Sequence, residues 1–169
     1  MKPICALAAG LAIAVAAPAA DASEDDRAFS VSLNYGRYTL DEDISPDGGV
    51  VGFDYEHGIS DAISLRASAG GGLYYQDGPA YSGHAVVGVT YLFDVLKYVP
   101  YANIGAGGIV LGGDGFDTQL EPLIEIGFGV DFLRSREFSW GVLARYETYF
   151  NETSFFTAGA RLTWRWGFF

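Results

Sequence analysis

The chain has 169 residues, a formal net charge of −11, 50% hydrophobic residues and 15% aromatics. That acidity leaves no electrostatic footprint for nucleic acid and no polybasic patch for anionic lipid. The length suits one domain, glycine (23 residues) is about twice its usual share, and the mature part holds no apolar run long enough for a transmembrane helix.

Residues 1–22 read as a cleaved signal peptide and residues 23–169 as the mature domain. Lys2 supplies the positive start, and Ile4 to Ala17 is an apolar stretch of Ala, Leu, Ile and Val. Ala17-Pro18-Ala19 and Ala20-Asp21-Ala22 are both small-x-small cleavage sites, which places the cut near 19–22. The stretch is shorter than the ~20 apolar residues a membrane span needs, and acidic residues follow at once. The single cysteine, Cys5, lies inside this segment, too early for lipoprotein attachment. The mature chain therefore has no disulfide. It keeps about 147 to 150 residues and a charge near −12.

Eight stretches of the mature chain alternate, apolar on every second residue, which is the period of a strand. The first, 28–40, sets Phe29, Val31, Leu33 and Tyr35 against Ser30, Ser32, Asn34 and Gly36. The second, 49–58, sets Val51, Phe53 and Tyr55 against Gly52, Asp54 and Glu56. The third, 62–75, sets Ile63, Leu65, Ala67 and Leu73 against Ser64, Arg66, Ser68 and Gly70. The fourth, 81–93, carries Ala85, Val87, Val89, Tyr91 and Phe93 on one face. The fifth, 99–111, is glycine-rich, and its facing is not fixed by pattern. The sixth, 119–132, sets Ile124, Ile126, Phe128, Val130 and Phe132 against Glu125, Gly127, Gly129 and Asp131. The seventh, 138–150, sets Trp140, Val142, Ala144 and Tyr146 against Gly141, Arg145 and Glu147. The eighth, 155–168, sets Phe156, Leu162, Trp164, Trp166 and Phe168 against Thr157, Gly159, Arg161, Thr163 and Arg165.

Each stretch has 10 to 14 residues. Soluble strands have ~5–6, and tilted membrane-crossing strands ~9–11. The connections alternate too: acidic and polar at 41–48, 76–80, 112–118 and 151–154, tight at 59–61, 94–98 and 133–137. Short periplasmic turns and outward loops are the habit of outer-membrane barrels. A sheet in lipid must close on itself, because an open edge would leave backbone groups unbonded. The expected fold is thus all-β, an eight-stranded antiparallel up-and-down transmembrane β-barrel with its apolar face toward lipid.

An eight-stranded lumen is just wide enough for side chains to fill. Charges confined there need partners. Counting across the turns sets Glu125 opposite Arg145, Glu56 opposite Arg66, and Arg161 near Glu147, giving a polar plug. Two girdles of aromatics are expected at the interfaces. Tyr91, Phe93, Phe132, Trp140, Trp166 and Phe168 form the periplasmic one; Tyr35, Tyr75, Tyr81, Phe150 and Phe156 form the outer one.

On these features the mature chain resembles the small eight-stranded outer-membrane proteins of the OmpA/OmpX-like β-barrel superfamily. Val99-Pro100-Tyr101 running into Gly105-Ala106-Gly107 looks like the proline-tyrosine strand of such barrels. The chain end, with Leu162, Trp164, Trp166 and Phe168 before Phe169, is similar to the family's C-terminal assembly signal, although Phe169 is one residue out of phase. The resemblance implies a monomer in contact with outer-membrane lipid and lipopolysaccharide, delivered by the barrel assembly machinery.

Small barrels of this kind include lipid A-modifying enzymes, so Ser82 and His84, two residues apart on one face, are the candidate nucleophile and base. An orienting acid is missing from the set, and so is the His-x-Ser-Asn signature of the deacylases. His57 reads as interfacial. Asp41, Glu42, Asp43 and Asp47 form an oxygen-rich loop without the EF-hand spacing, suited to sharing bridging cations with lipopolysaccharide. Gly70-Gly71-Gly72 and the Gly105 to Gly108 run lack the helix and the Lys-Ser/Thr ending of a phosphate loop. No catalytic, cofactor or metal residues are assigned. The leading expectation is a non-enzymatic barrel with a structural or surface-interaction role and a polar, side-chain-filled lumen. A small porin-like pore or conduit is the alternative, followed by a lipid A-modifying enzyme.

Overall fold

A computed structural model describes residues 26–39, 46–75, 78–93, 98–113, 116–149 and 154–167. The signal segment 1–22, the loop acids Asp41, Glu42 and Asp43, and the aromatics Phe150, Phe168 and Phe169 lie outside the described residues.

Alternation of apolar and small or polar residues yields eight strands: β1 (Arg27–Thr39), β2 (Asp47–Gly58), β3 (Ile63–Tyr75), β4 (Pro79–Leu92), β5 (Tyr98–Gly113), β6 (Phe116–Leu133), β7 (Phe138–Tyr149) and β8 (Ser154–Trp166). Each pairs antiparallel with its sequence neighbours, and β1 pairs with β8, so the sheet closes into a barrel. Closure removes both edges, which leaves no strand with an unpaired row of backbone groups. The bounds match the sequence expectation to within a few residues. The glycine-rich β5 resolves as well: Tyr101, Asn103, Gly105, Ile109 and Leu111 point in, and Ile104 and Ala106 point out.

The register fixes the tilt. Stepping across the ladders from Ala28 runs through Glu56, Arg66, Gly88, Gly105, Glu125, Glu147 and Phe155 and returns to β1 at Tyr38, ten residues further along. A stagger of this size inclines the strands by about 35–45° to the barrel axis. One irregularity interrupts the ladders, between Leu111 and Gly113 where β5 meets the long β6.

Both described chain ends, Asp26 and Gly167, sit at one rim, called here the terminal rim; the other is the loop rim. Two terminal-rim turns share a device. The Ile59 and Ser60 amides donate to the Ile63 carbonyl at 2.8 and 3.1 Å, and the Ile63 amide donates to Ser60 Oγ at 3.1 Å. Likewise the Arg134 and Ser135 amides donate to the Phe138 carbonyl at 3.0 and 3.1 Å, and the Phe138 amide donates to Ser135 Oγ at 3.1 Å.

The outward wall is apolar. Leu33, Leu73, Val87 and Phe128 are each more than half exposed. Aromatics gather toward the rims. Tyr98, Phe132 and Trp140 form one run at the terminal rim, with Phe132 stacked on Trp140 at 4.5 Å and Tyr98 edge-on to Phe132 at 5.4 Å. Tyr91 and Phe93 meet there at 4.9 Å. Tyr35, Tyr75, Tyr81 and Phe156 stand exposed near the loop rim. The close approach of β4 and β5 explains one glycine pair: a Cβ on Gly88 would collide with the Ile104 carbonyl and come within 2.6 Å of Gly105 Cα.

Candidate functional site in the barrel interior

Alternation sends the polar residues inward, so the chemistry of this chain lies inside the barrel. Asp54 and Glu56 come from β2, Arg66 from β3, His84 from β4, Glu125 and Asp131 from β6, Arg145 and Glu147 from β7, and Arg161 and Arg165 from β8. All are buried except Arg165, whose side chain is 18% exposed.

The ion pairs form a ladder. Near the terminal rim, Arg165 donates to Asp131 and to Ser139, both at 2.7 Å. Arg161 grips the same Asp131 with two bonds of 2.8 Å and reaches Glu56 at 3.5 Å. Its guanidinium also lies 4.1 Å from the Tyr101 ring centroid. Bidentate geometry and a stacked ring both suit arginine rather than lysine. At mid-height Asp54 accepts from Arg66 Nε at 2.9 Å and Arg145 Nη2 at 2.5 Å, and Arg66 Nη1 donates to Glu125 at 2.5 Å.

The sequence expectation of a charged interior holds, but its partners are corrected. Glu56 does sit opposite Arg66, yet Arg66 bonds Asp54 and Glu125 instead. Glu125 faces Glu147 across its ladder, while Arg145 faces Gly127. Arg161 faces Gly141, far along the strand from Glu147, which faces Phe155. A count across the turns reports wall neighbours only. In a lumen this narrow an arginine spans to another wall, so β7 pairs with β2 and β3 with β6. Arg145 makes that crossing over Gly52, where a Cβ would stand 3.6 Å from its Nη1.

The polar plug is also corrected at its outer end. A cluster of Val50, Tyr74, Ala80, Val86, Ile109, Leu111, Leu123 and Phe155 fills the interior from mid-height at Val86 toward the loop rim. Tyr74 and Phe155 meet edge to face at 5.6 Å. The sequence carried a signal for it: Val50-Val51, Tyr74-Tyr75, Val86-Val87, Leu123-Ile124 and Phe155-Phe156 are doublets, apolar on both faces where alternation alone would place a polar residue inside.

Ser82 and His84 both point into the barrel, each 6% exposed. Ser82 Oγ shares a hydrogen bond of 3.1 Å with Tyr74 Oη, and among the described residues neither ring nitrogen of His84 has a partner. His57, half-buried opposite Arg27, edges a shallow apolar depression of about 620 Å³ on the outward wall, between Tyr55, Leu65, Ala67 and Val89. Asp47, the described member of the acidic loop, accepts from Tyr35 Oη at 2.5 Å and lies 3.8 Å from Arg37. Among the described residues no group of three or more His, Cys, Asp or Glu side chains is placed to hold a metal ion, and no helix is long and apolar enough to cross a membrane, which says nothing of a barrel.

The chain matches no family model and no curated protein. Its fold matches solved structures closely. Neisserial surface protein A superposes with a TM-score of 0.70 at 11% identity, over 82% of this chain and 96% of that one. Ail, the attachment invasion locus protein of Yersinia pestis, gives 0.61 at 15% identity, over 85% and 99%. The outer membrane enzyme PagL gives 0.57 at 15% identity, over 79% and 97%. The chain has the fold of the small eight-stranded outer-membrane barrels.

Proposed function

We propose that this protein is an integral outer-membrane barrel, exported through a cleaved signal peptide, that acts without catalysis as a structural or surface-interaction element with a filled lumen. The observation that carries this reading is the inverted distribution of polarity. Among the described residues four arginines and five carboxylates line the inside, while Leu33, Leu73 and Val87 are 69%, 74% and 69% exposed on the outside. A soluble protein rarely exposes so continuous an apolar wall. Lipid removes it from water, and two aromatic girdles suit the interfaces.

The ion-pair ladder and the apolar cluster together favour a closed lumen over a standing pore. The inward burial of Ser82 and His84 favours a non-enzyme, although an enzyme stands among the fold neighbours. Lipopolysaccharide is the expected surface contact, through cations shared with the acidic loop.

The test combines location and lipid chemistry. Cells with and without the chain are fractionated, and their lipid A is compared by mass spectrometry. The chain is expected in the outer-membrane fraction with lipid A unchanged. A lipid A difference that disappears with His84→Ala would overturn the non-enzymatic reading, and recovery as a soluble protein would overturn the membrane one.

A further inference from the structure

We propose that the apolar cluster near the loop rim is a seal over an acidic, hydrated chamber, and that opening this seal admits water and small cations from the loop side. The inference rests on the closed-lumen reading above and adds where the closure lies.

At the lower margin of the cluster the register places Glu147 opposite Glu125 and Phe155, and His84 opposite Gly70 and Ile109, with Val86 two residues nearer the terminal rim on the same strand. The His84 ring lies over that glycine, within 2.7 Å of where a Cβ would stand. Glu147 is 0% exposed, and among the described residues neither of its carboxylate oxygens has a hydrogen-bond partner. The same holds for Glu125 Oε2, both nitrogens of His84 and Asn34 Oδ1. Among the described residues five inner carboxylates face four arginines, and the one outside the ion-pair ladder is Glu147. Buried polar atoms in such number are satisfied by internal water, and a dry unpaired carboxylate is expensive. The layer above is mostly apolar, and its Tyr74 and Ser82 hydroxyls bond each other at 3.1 Å. Val50, Tyr74, Ile109, Leu123 and Phe155 are 0–2% exposed. Val50, Tyr74 and Phe155 converge on one point, since a Cβ on Gly36 would lie 2.7, 3.3 and 3.3 Å from them. An apolar constriction of this kind closes a passage by dewetting.

Thr157 tests the seal. It points inward, 2% exposed, two residues past Phe155 and opposite both Gly36 and Arg145. Thr157→Cys is made in a chain carrying Cys5→Ser, so that the thiol is unique, and the barrel is refolded in detergent micelles. Folding is checked by its heat-modifiable gel mobility. A small cationic methanethiosulfonate is then added and the rate of modification measured. With the seal intact, the thiol is expected to stay unmodified. With Tyr74→Ala and Phe155→Ala, the rate is expected to rise at least about tenfold. Should that double variant not refold, Tyr74→Ala or Ile109→Ala alone carries the same test. Adding Glu147→Gln to the unsealed barrel should slow the cationic reagent and leave an uncharged reagent of equal size unaffected.

A folded, unsealed barrel that stays unreactive overturns the seal, as does an intact one that reacts as fast as the unsealed form. An unchanged cation rate in the Glu147→Gln variant overturns the acidic chamber. Failure of the closed-lumen reading shows separately, as stable conductance through the unaltered barrel in a planar bilayer.

Discussion

Asp54→Asn removes the carboxylate that Arg66 and Arg145 share while keeping its shape. Arg66 retains Glu125, but Arg145 loses the one carboxylate it bonds among the described residues. Breaking a buried pair from one side costs roughly 3–5 kcal/mol, because the partner charge stays buried without compensation. A double-mutant cycle with Arg145→Gln isolates the pair from the effect on Arg66. The coupling expected for Asp54 and Arg145 is about 2–3 kcal/mol, at the upper end for bonded neighbours. The same cycle between Glu125 and Arg145 should give under about 1 kcal/mol, since they are wall neighbours out of register and share no bond. The assay is reversible urea unfolding in phospholipid vesicles, read by the fluorescence of Trp140, Trp164 and Trp166, all on the outward face. Additivity within about 0.5 kcal/mol for Asp54 and Arg145 would refute cross-lumen pairing. Strong coupling of Glu125 to Arg145 would restore the wall-neighbour arrangement.

The other expectations use the same unfolding measurement. Val87→Arg, midway along β4 and 69% exposed, should cost about 2–4 kcal/mol in lipid against about 0–1 for Tyr35→Arg near the rim; equal small costs would argue for a wall in water. Arg161→Lys should lose at least about 1 kcal/mol, because a point charge keeps neither the paired bonds to Asp131 nor the stacking on Tyr101; a neutral result would mean the fork is not used. Gly105→Ala should cost about 1–3 kcal/mol by overpacking, since its Cβ would meet Val86 Cγ1 at 2.5 Å, whereas Gly49→Ala meets nothing within 4 Å and should be near neutral.

The sequence made the fold legible because alternation, strand length and loop character all report the same quantity, the side of a sheet on which a residue lies. β5 was ambiguous because Gly105, Gly107 and Gly108 have no side chain to carry the pattern; pairing with β4 and β6 settled it. The identity of the inner charges was legible for the same reason. Their partners were not, because a strand pattern encodes face and not depth across the lumen. Arg66 and Glu125 are 59 residues apart and meet only once the barrel has closed. The apolar seal lay in plain view as doublets such as Tyr74-Tyr75 and Phe155-Phe156, whose first members turn inward. Alternation alone reports one apolar face and is silent on a doublet that is apolar on both.

Single-channel recording of the refolded, unaltered barrel in a planar bilayer tests the central claim most directly. The account predicts silence from a protein shown to be folded and inserted, because ion pairs fill the lower lumen and apolar side chains close the upper one. Stable, reproducible conductance steps would contradict it and make the protein a pore.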